Sequence, residues 1–316
     1  MNLLVCWNEL QDQDVDLIRS KTGANVTVCE NKEDSWALVE EAHVIFGFVS
    51  PEVLVKAKKC QWLQIPYAGV ERILAAEWGN PQMVLTNGSG IFGPNIAEHV
   101  IGLLLAFNRG IHLARDFQSK RQWSWDVFYP FRELTGSTVG ILGYGDIGQQ
   151  VGKRLEGFDC NVIGFRRNPQ GMEKYAQQVY SIDEFHSYAG MLDYLVCALP
   201  HTTQTVGFLN RHRLQKLPKH AVVINVGRGS LIPEADLLLA LEEGWIQGAA
   251  LDVTPQEPLP ESSPLWAMEN VIITPHNSGR TPFHRERAFH IFFENWEHFQ
   301  IHGKPKRNVV DPKRGY

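Results

Sequence analysis

The sequence predicts an α/β protein of two domains, built on doubly wound parallel sheets. Three observations carry that expectation. At 316 residues the chain exceeds what one hydrophobic core ordinarily organises. Short apolar runs of strand length alternate with helix-like segments, the pattern of parallel sheets covered on both faces. The stretch from Thr138 to Asn168, TVGILGYGDIGQQVGKRLEGFDCNVIGFRRN, reads as strand, glycine turn, helix and second strand in the length of one βαβ unit.

In the first hundred residues, strands are expected at Leu3 to Trp7, Val26 to Cys29, Val44 to Phe48, Trp62 to Ile65 and Val84 to Thr86. Helical segments fall around Val15 to Ile18, Trp36 to Val39 and Val53 to Ala57. The fourth strand runs into Ile65-Pro66-Tyr67-Ala68-Gly69-Val70, at a carboxyl edge where open α/β sheets hold ligands. Gly69 would let backbone N–H groups face an anion, although taken alone the segment reads as an ordinary tight loop. Asn87 to Gly90 forms a joint, and Pro94-Asn95 opens one long helix, Ile96 to about Phe117, read as the connector between domains. Lys120 to Leu134 is irregular and aromatic-rich (Trp123, Trp125, Phe128, Tyr129, Phe131), either a partner surface or pocket wall or a cover for the protein's own core.

Within the βαβ unit, Val139, Ile141 and Leu142 form the strand, and Ile147, Val151 and Leu155 recur at helical spacing. Between them lies Gly143-Tyr144-Gly145-Asp146-Ile147-Gly148. Gly143 can make the tight turn, Gly145 lets a pyrophosphate approach the backbone, and Gly148 packs the helix on the strand, with the phosphate at the helix N-terminus. The second strand ends at Arg166-Arg167, where an NAD site wants a carboxylate for the ribose 2′-hydroxyl. Guanidinium groups match a 2′-phosphate instead, so NADP(H) is the preferred cofactor and NAD(H) a possible one.

Further strands are expected at Tyr194 to Leu199, Ala221 to Val226, Ala249 to Val253 and Val271 to Thr274, with a helix from Glu234 to Leu241. A last helix, Pro282 to His302, returns the chain to the first domain, and the tail from Lys304 lies on the surface. Three polar groups follow strand ends: Arg228 between Gly227 and Gly229, Glu257 in the loop after Asp252-Val253, and His276 after Thr274-Pro275. Singly each is unremarkable. Jointly, an arginine, a carboxylate and a histidine on the edge that carries the phosphate turn form an anion-binding and acid/base set.

Composition excludes other classes. The chain is 44% hydrophobic and 21% charged with a formal charge of −5, which leaves no electrostatic footprint for nucleic acid or an anionic membrane. The five cysteines, Cys6, Cys29, Cys60, Cys160 and Cys197, sit mostly in apolar strand-like runs with no CxxC pair. Reduced, buried thiols are expected rather than disulfides or metal ligands. The N-terminus has no basic n-region or cleavage site, so a cytoplasmic location is the default expectation.

The arrangement resembles the D-isomer-specific 2-hydroxyacid dehydrogenase family over nearly the whole chain. The matching motifs are the glycine fingerprint, Asn225-Val226-Gly227-Arg228-Gly229, Ala250-Leu251-Asp252-Val253 followed by Glu257-Pro258-Leu259, Thr274-Pro275-His276, and Asn95-Ile96-Ala97-Glu98-His99. The resemblance implies two Rossmann-like domains, a dinucleotide domain (101–282, including the interdomain helix) inserted into a split substrate domain (1–100 and 283–316), and a homodimer. It implies that His276 donates a proton to the carbonyl of a 2-keto acid and that Glu257 pairs with it, a carboxylate favouring imidazolium. Arg228 and the N–H groups of Ala68, Gly69 and Val70 would hold the substrate carboxylate, and Asp252 would lie near the nicotinamide carboxamide or serve as a strand-end cap. Arg166-Arg167 and the compact chain look most like NADPH-dependent glyoxylate/hydroxypyruvate reductases. A reductase for bulkier 2-keto acids, or a dinucleotide-sensing interaction protein of the corepressor type, is the alternative.

Overall fold

The computed structural model describes residues 1–8, 10–29, 36–123, 131–169 and 173–315. They form two compact units, Met1–Ile91 with Pro282–Tyr316, and Phe92–Thr281. Among the described residues, no helix is long and apolar enough to cross a membrane.

The first unit holds five parallel strands, β1 (Asn2–Cys6), β2 (Asn25–Cys29), β3 (Val44–Gly47), β4 (Trp62–Gln64) and β5 (Val84–Thr86), in the order β2-β1-β3-β4-β5. The order reverses between β1 and β3, the switch point at which such sheets open a crevice. Gly47 is required there: φ is +128°, and a Cβ would lie 2.1 Å from the Cys6 carbonyl oxygen. Leu4, Ile45, Leu63 and Leu85 build one buried face. On the other face lie helix α1 (Asp12–Thr22) and the C-terminal helix, whose Phe292 stacks on Phe46 at 4.2 Å and on Trp62 at 5.3 Å.

The second unit contains helix α2 (Gly93–Asn108) and helix α3 (Ile111–Ser119) before its sheet. The single long helix expected from Ile96 to Phe117 is therefore two. Gly110 takes a left-handed φ of 59° between them and redirects the chain, even though the apolar spacing continues through the break. The two units part before α2, whereas the boundary expected at residue 100 falls inside it. Of the aromatic segment, Trp123 and Phe131 are exposed, and Trp125, Phe128 and Tyr129 lie outside the described residues.

Seven parallel strands follow: β6 (Thr138–Leu142), β7 (Asn161–Arg166), β8 (Gln178–Ser181), β9 (Tyr194–Cys197), β10 (Val222–Asn225), β11 (Gly248–Leu251) and β12 (Val271–Ile273). Their order is β12-β11-β10-β9-β6-β7-β8, the doubly wound arrangement with its switch point between β6 and β9. Strand β8 has no counterpart in the expected elements. It is a four-residue edge strand with a single buried residue, too little for an alternation to register. Helices α4 (Asp146–Leu155), α5 (Glu234–Glu242) and α6 (His284–His302) complete the framework, α6 belonging to the first unit. Helix α2 packs on α4 so closely that a Cβ on Gly93 would meet Asp146 Oδ2 at 2.5 Å.

The register of this sheet aligns its carboxyl ends. Ile273 pairs with Leu251, Leu251 with Asn225, Asn225 with Cys197, Cys197 with Leu142, and Leu142 with Phe165. The loops that follow these residues share one edge, and every candidate residue of the second unit lies on or just beyond it.

Candidate active site

The glycine turn separates into two kinds of glycine. Gly143 has φ +95°, and a Cβ there would lie 2.7 Å from the Ala198 carbonyl at the end of the neighbouring strand; a Cβ on Gly148 would lie 2.6 Å from the Gly143 oxygen. Both are demanded by the chain's own packing. A Cβ on Gly145 would meet nothing within 4 Å. Its bareness serves no contact of the protein, and it stands at the N-cap of α4, which has no side-chain cap. The first-turn N–H groups of a ten-residue helix thus face an open approach, the geometry that takes a pyrophosphate. Asp146 is exposed and Ile147 half-buried in that turn.

Tyr144 is wholly buried and turned away from the open side. Its hydroxyl donates to the Lys174 carbonyl at 2.7 Å, and its ring fills the space left by Gly164, whose Cβ would meet the ring at 2.6 Å. At the end of β7, Arg166 Nη1 donates to Glu173 Oε2 at 2.9 Å, and Arg167 Nη2 donates to Gln204 Oε1 at 2.9 Å. Along β7 itself no carboxylate stands at this strand end. The loop before β8 delivers one, Glu173, and no local spacing announces it.

Arg228 sits in a loop that its glycines allow to nest between two strand ends. A Cβ on Gly227 would lie 2.7 Å from the Leu199 oxygen, and one on Gly229 would lie 2.0 Å from the Thr254 carbonyl. Buried Asn225 fixes the loop by accepting from Gly227 N at 3.2 Å and donating to the Arg228 carbonyl at 3.0 Å. Arg228 Nη1 donates to the Gly227 carbonyl at 2.8 Å.

His276 and Glu257 meet: Nδ1 is 2.7 Å from Oε2, with the imidazole half exposed. The other carboxylate oxygen of Glu257 accepts from Thr254 N at 3.2 Å, so the base of the pair is anchored to the loop after β11. His276 has a φ of 48°, uncommon for a residue with a side chain. Its own N–H holds it there, donating to the carbonyls of Asp252 at 2.9 Å and Thr274 at 3.0 Å. Among the described residues none bonds Nε2, which leaves that nitrogen for a ligand.

Asp252 is buried to 1% exposure and belongs to this loop rather than to an open surface. Its carboxylate accepts from Thr274 Oγ1 at 2.6 Å, Asn277 N at 3.1 Å, Ser278 N at 3.2 Å and Ser278 Oγ. His99 of α2 touches the same cluster, Nε2 lying 3.1 Å from Thr274 Oγ1 and 3.8 Å from Asp252 Oδ1. These contacts tie the Asp252 carboxylate to the start of the loop that carries His276. His99, Thr274 and Ser278 are parts of the site that strand-end reasoning did not single out.

In the first unit, the Ala68-Gly69-Val70 loop follows β4. Asn87 Nδ2 donates to the Ala68 carbonyl at 2.9 Å, and His284 Nε2 lies 2.7 Å from the Pro66 carbonyl. No described residue accepts a hydrogen bond from the N–H groups of Ala68, Gly69 or Val70.

Fold and site together define a dinucleotide-dependent oxidoreductase with a histidine–carboxylate pair at the sheet edge. The family model described as D-isomer specific 2-hydroxyacid dehydrogenase, NAD binding domain, matches residues 101–278. The chain belongs to that family and is an NAD(P)-dependent 2-hydroxyacid dehydrogenase. It is 34% identical over 263 residues to glyoxylate/hydroxypyruvate reductase A of Salmonella newport, covering 79% of this chain and 80% of the relative. Two solved structures superpose on it. A family protein from Aeromonas salmonicida has 35% identity and a TM-score of 0.84, covering 98% of this chain and 99% of the other. NADPH-dependent glyoxylate/hydroxypyruvate reductase from Sinorhizobium meliloti, in complex with NADP and sulfate, has 26% identity and a TM-score of 0.82, covering 100% of both.

Proposed function

We propose that the protein reduces small 2-keto acids, such as glyoxylate or hydroxypyruvate, with NADPH as the preferred reductant. The observation that carries this reading is the His276–Glu257 pair, 2.7 Å apart on Nδ1 with Nε2 left over. Gly145, Asp146 and Ile147 at the open start of α4 would hold a dinucleotide, which when bound would supply hydride to the carbonyl carbon; Gly143 and Tyr144 shape the turn instead, since both of their N–H groups donate to the Phe165 carbonyl and the Tyr144 ring is buried. His276 gives a proton from Nε2 to the carbonyl oxygen, and Glu257 holds the ring and stabilises its charged form. Arg228 binds the carboxylate and polarises the carbonyl; in the first unit, the unspent N–H groups of Ala68, Gly69 and Val70 are by themselves donors suited to an anion. Asp252 keeps the His276 loop in place. Arg166 and Arg167 supply the positive charge for a 2′-phosphate, a reading that the NADP-bound relative from Sinorhizobium meliloti favours.

The family resemblance supports a homodimer, and the five buried thiols fit a reducing, cytoplasmic compartment. Bulkier 2-keto acids are a second reading of the substrate. Phe48, just past β3, is 45% exposed and stacks on Tyr67 beside the Ala68–Val70 loop, which offers an apolar face to a larger side chain.

Turnover of NADPH and NADH with glyoxylate, hydroxypyruvate, pyruvate and a phenyl or branched 2-keto acid tests the substrate reading. For the chemistry, His276→Gln should lower kcat by about 10²- to 10⁴-fold, the usual worth of a general acid, while NADPH affinity stays put. Turnover by His276→Gln within about threefold of wild type removes His276 as the acid.

A further inference from the structure

We propose that Glu173 sets how strongly the protein prefers NADPH to NADH, acting through Arg166 as a resident counter-charge to the 2′-phosphate. This rests on the reading of Arg166 and Arg167 as the 2′-phosphate pair. Arg166 closes β7, and its guanidinium donates to Glu173 at 2.9 Å, the arginine side chain 30% exposed and the carboxylate only 7%. A carboxylate so nearly dry is not a surface charge that swings aside when a ligand arrives.

Its position is built from the glycine turn itself. Tyr144, the residue between Gly143 and Gly145, donates its hydroxyl to the carbonyl of Lys174, next to Glu173, at 2.7 Å. Room for the ring exists because residues 152 and 164 are glycines, where a Cβ would lie 2.7 Å from the Tyr144 hydroxyl and 2.6 Å from its ring. Burial first, then the charge of Glu173, hold the Tyr144 phenol above its ordinary range, so it stays a donor. The turn that takes the pyrophosphate, the strand end with the arginines and the loop with Glu173 are therefore tied together.

The electrostatics give the sign. A 2′-phosphate carries about −1.5 to −2 charges near neutral pH, so it is drawn to Arg166 and repelled by the carboxylate already paired with it. A 2′-hydroxyl feels neither force appreciably. With Glu173 ionised, the two arginines present one net positive charge instead of two, and NADPH selectivity is tempered to a level that still admits NADH. Glu173 does not need to touch the cofactor to do this; it is a specificity-determining residue that acts through its partner.

The test is the dissociation constant of each dinucleotide, measured by fluorescence titration of the full chain without substrate. Variants are Glu173→Gln, Glu173→Asp and Arg166→Gln. Glutamine keeps an acceptor for Arg166 and removes only the charge. Glu173→Gln should tighten NADPH by about five- to tenfold and leave NADH within about twofold, with the gain shrinking as salt rises. Glu173→Asp should retain the wild-type ratio. An unchanged NADPH/NADH ratio in Glu173→Gln overturns the proposal, and so does a parallel weakening of both cofactors with a lowered Tm, which is the mark of a purely structural residue. Loss of NADPH affinity in Arg166→Gln without any gain in Glu173→Gln refutes the Glu173 proposal alone. Unaltered NADPH binding in Arg166→Gln refutes the arginine reading, and this proposal with it.

Discussion

Asp252→Asn should release the loop that presents His276, and the size of the effect follows from its contacts. The side chain is fully buried and accepts from Thr274 Oγ1, Asn277 N, Ser278 N and Ser278 Oγ. A hydrogen bond to a buried charge is worth about 1.5 to 3 kcal/mol net. Asparagine keeps the volume and one acceptor oxygen, so about half of these bonds survive, while its amide N–H groups confront donors. The expected loss is about 3 to 5 kcal/mol, similar to breaking a buried ionic contact by removing one partner. At roughly 2 to 4 °C per kcal/mol for a unit of this size, Tm should fall by about 10 °C. Because the Asp252 carbonyl also accepts the His276 N–H at 2.9 Å, a shift of this loop displaces the imidazole. We therefore expect kcat to drop by about 10²-fold, since misplacement of an acid by about 1 Å costs that much, while dinucleotide affinity changes little. Thermal melts, steady-state kinetics and cofactor titration read the three quantities separately. A variant that melts within about 2 °C of wild type and turns over within about threefold refutes the anchoring role. A normal Tm with weakened cofactor binding would instead assign Asp252 to the nicotinamide.

Two further predictions concern the turn and the framework beneath it. Gly145→Ala should fold normally, because its Cβ has nothing within 4 Å, yet lose dinucleotide affinity by about tenfold or more; Gly148→Ala should lose stability, because its Cβ would press on the Gly143 oxygen at 2.6 Å. Equal Tm values for the two variants would refute the distinction. Burial raises the Asp193 carboxyl, but Thr138 N and the His220 ring, both at 2.8 Å, and Arg132 at 3.0 Å outweigh it and hold it below its ordinary 3.8. A depressed folded-state value means that its stabilisation is complete above that range and lost as pH falls through the depressed value. Asp193→Asn should thus be less stable than wild type at neutral pH, and urea melts should show the difference closing only as pH falls below 3.8 through the depressed value. A gap that persists to the lowest pH would refute the assignment.

Residues whose work is expressed in their own type and neighbours are legible in the amino-acid sequence. Gly143, Gly145 and Gly148 carry their reasons in their spacing, and Arg228, Glu257 and His276 stand out because each follows an apolar run of strand length. The register from Phe165 across to Ile273 then puts those strand ends on one edge, as parallel pairing requires. What stays hidden depends on groups that meet only after folding. Strand β8 buries one residue, and Gly110 breaks a helix whose apolar period continues across it. Asp252 reaches Ser278 across the gap between neighbouring strand ends, a pairing without any fixed sequence spacing. Glu173 reaches Arg166 from a loop whose next carbonyl is held by the Tyr144 hydroxyl. Counting residues along β7 finds no acid at the position that reads the ribose, and the count is correct for the strand. The Glu173 carboxylate beside Arg166 lies outside that count, because charge at a strand end is the sum over every loop that returns to it.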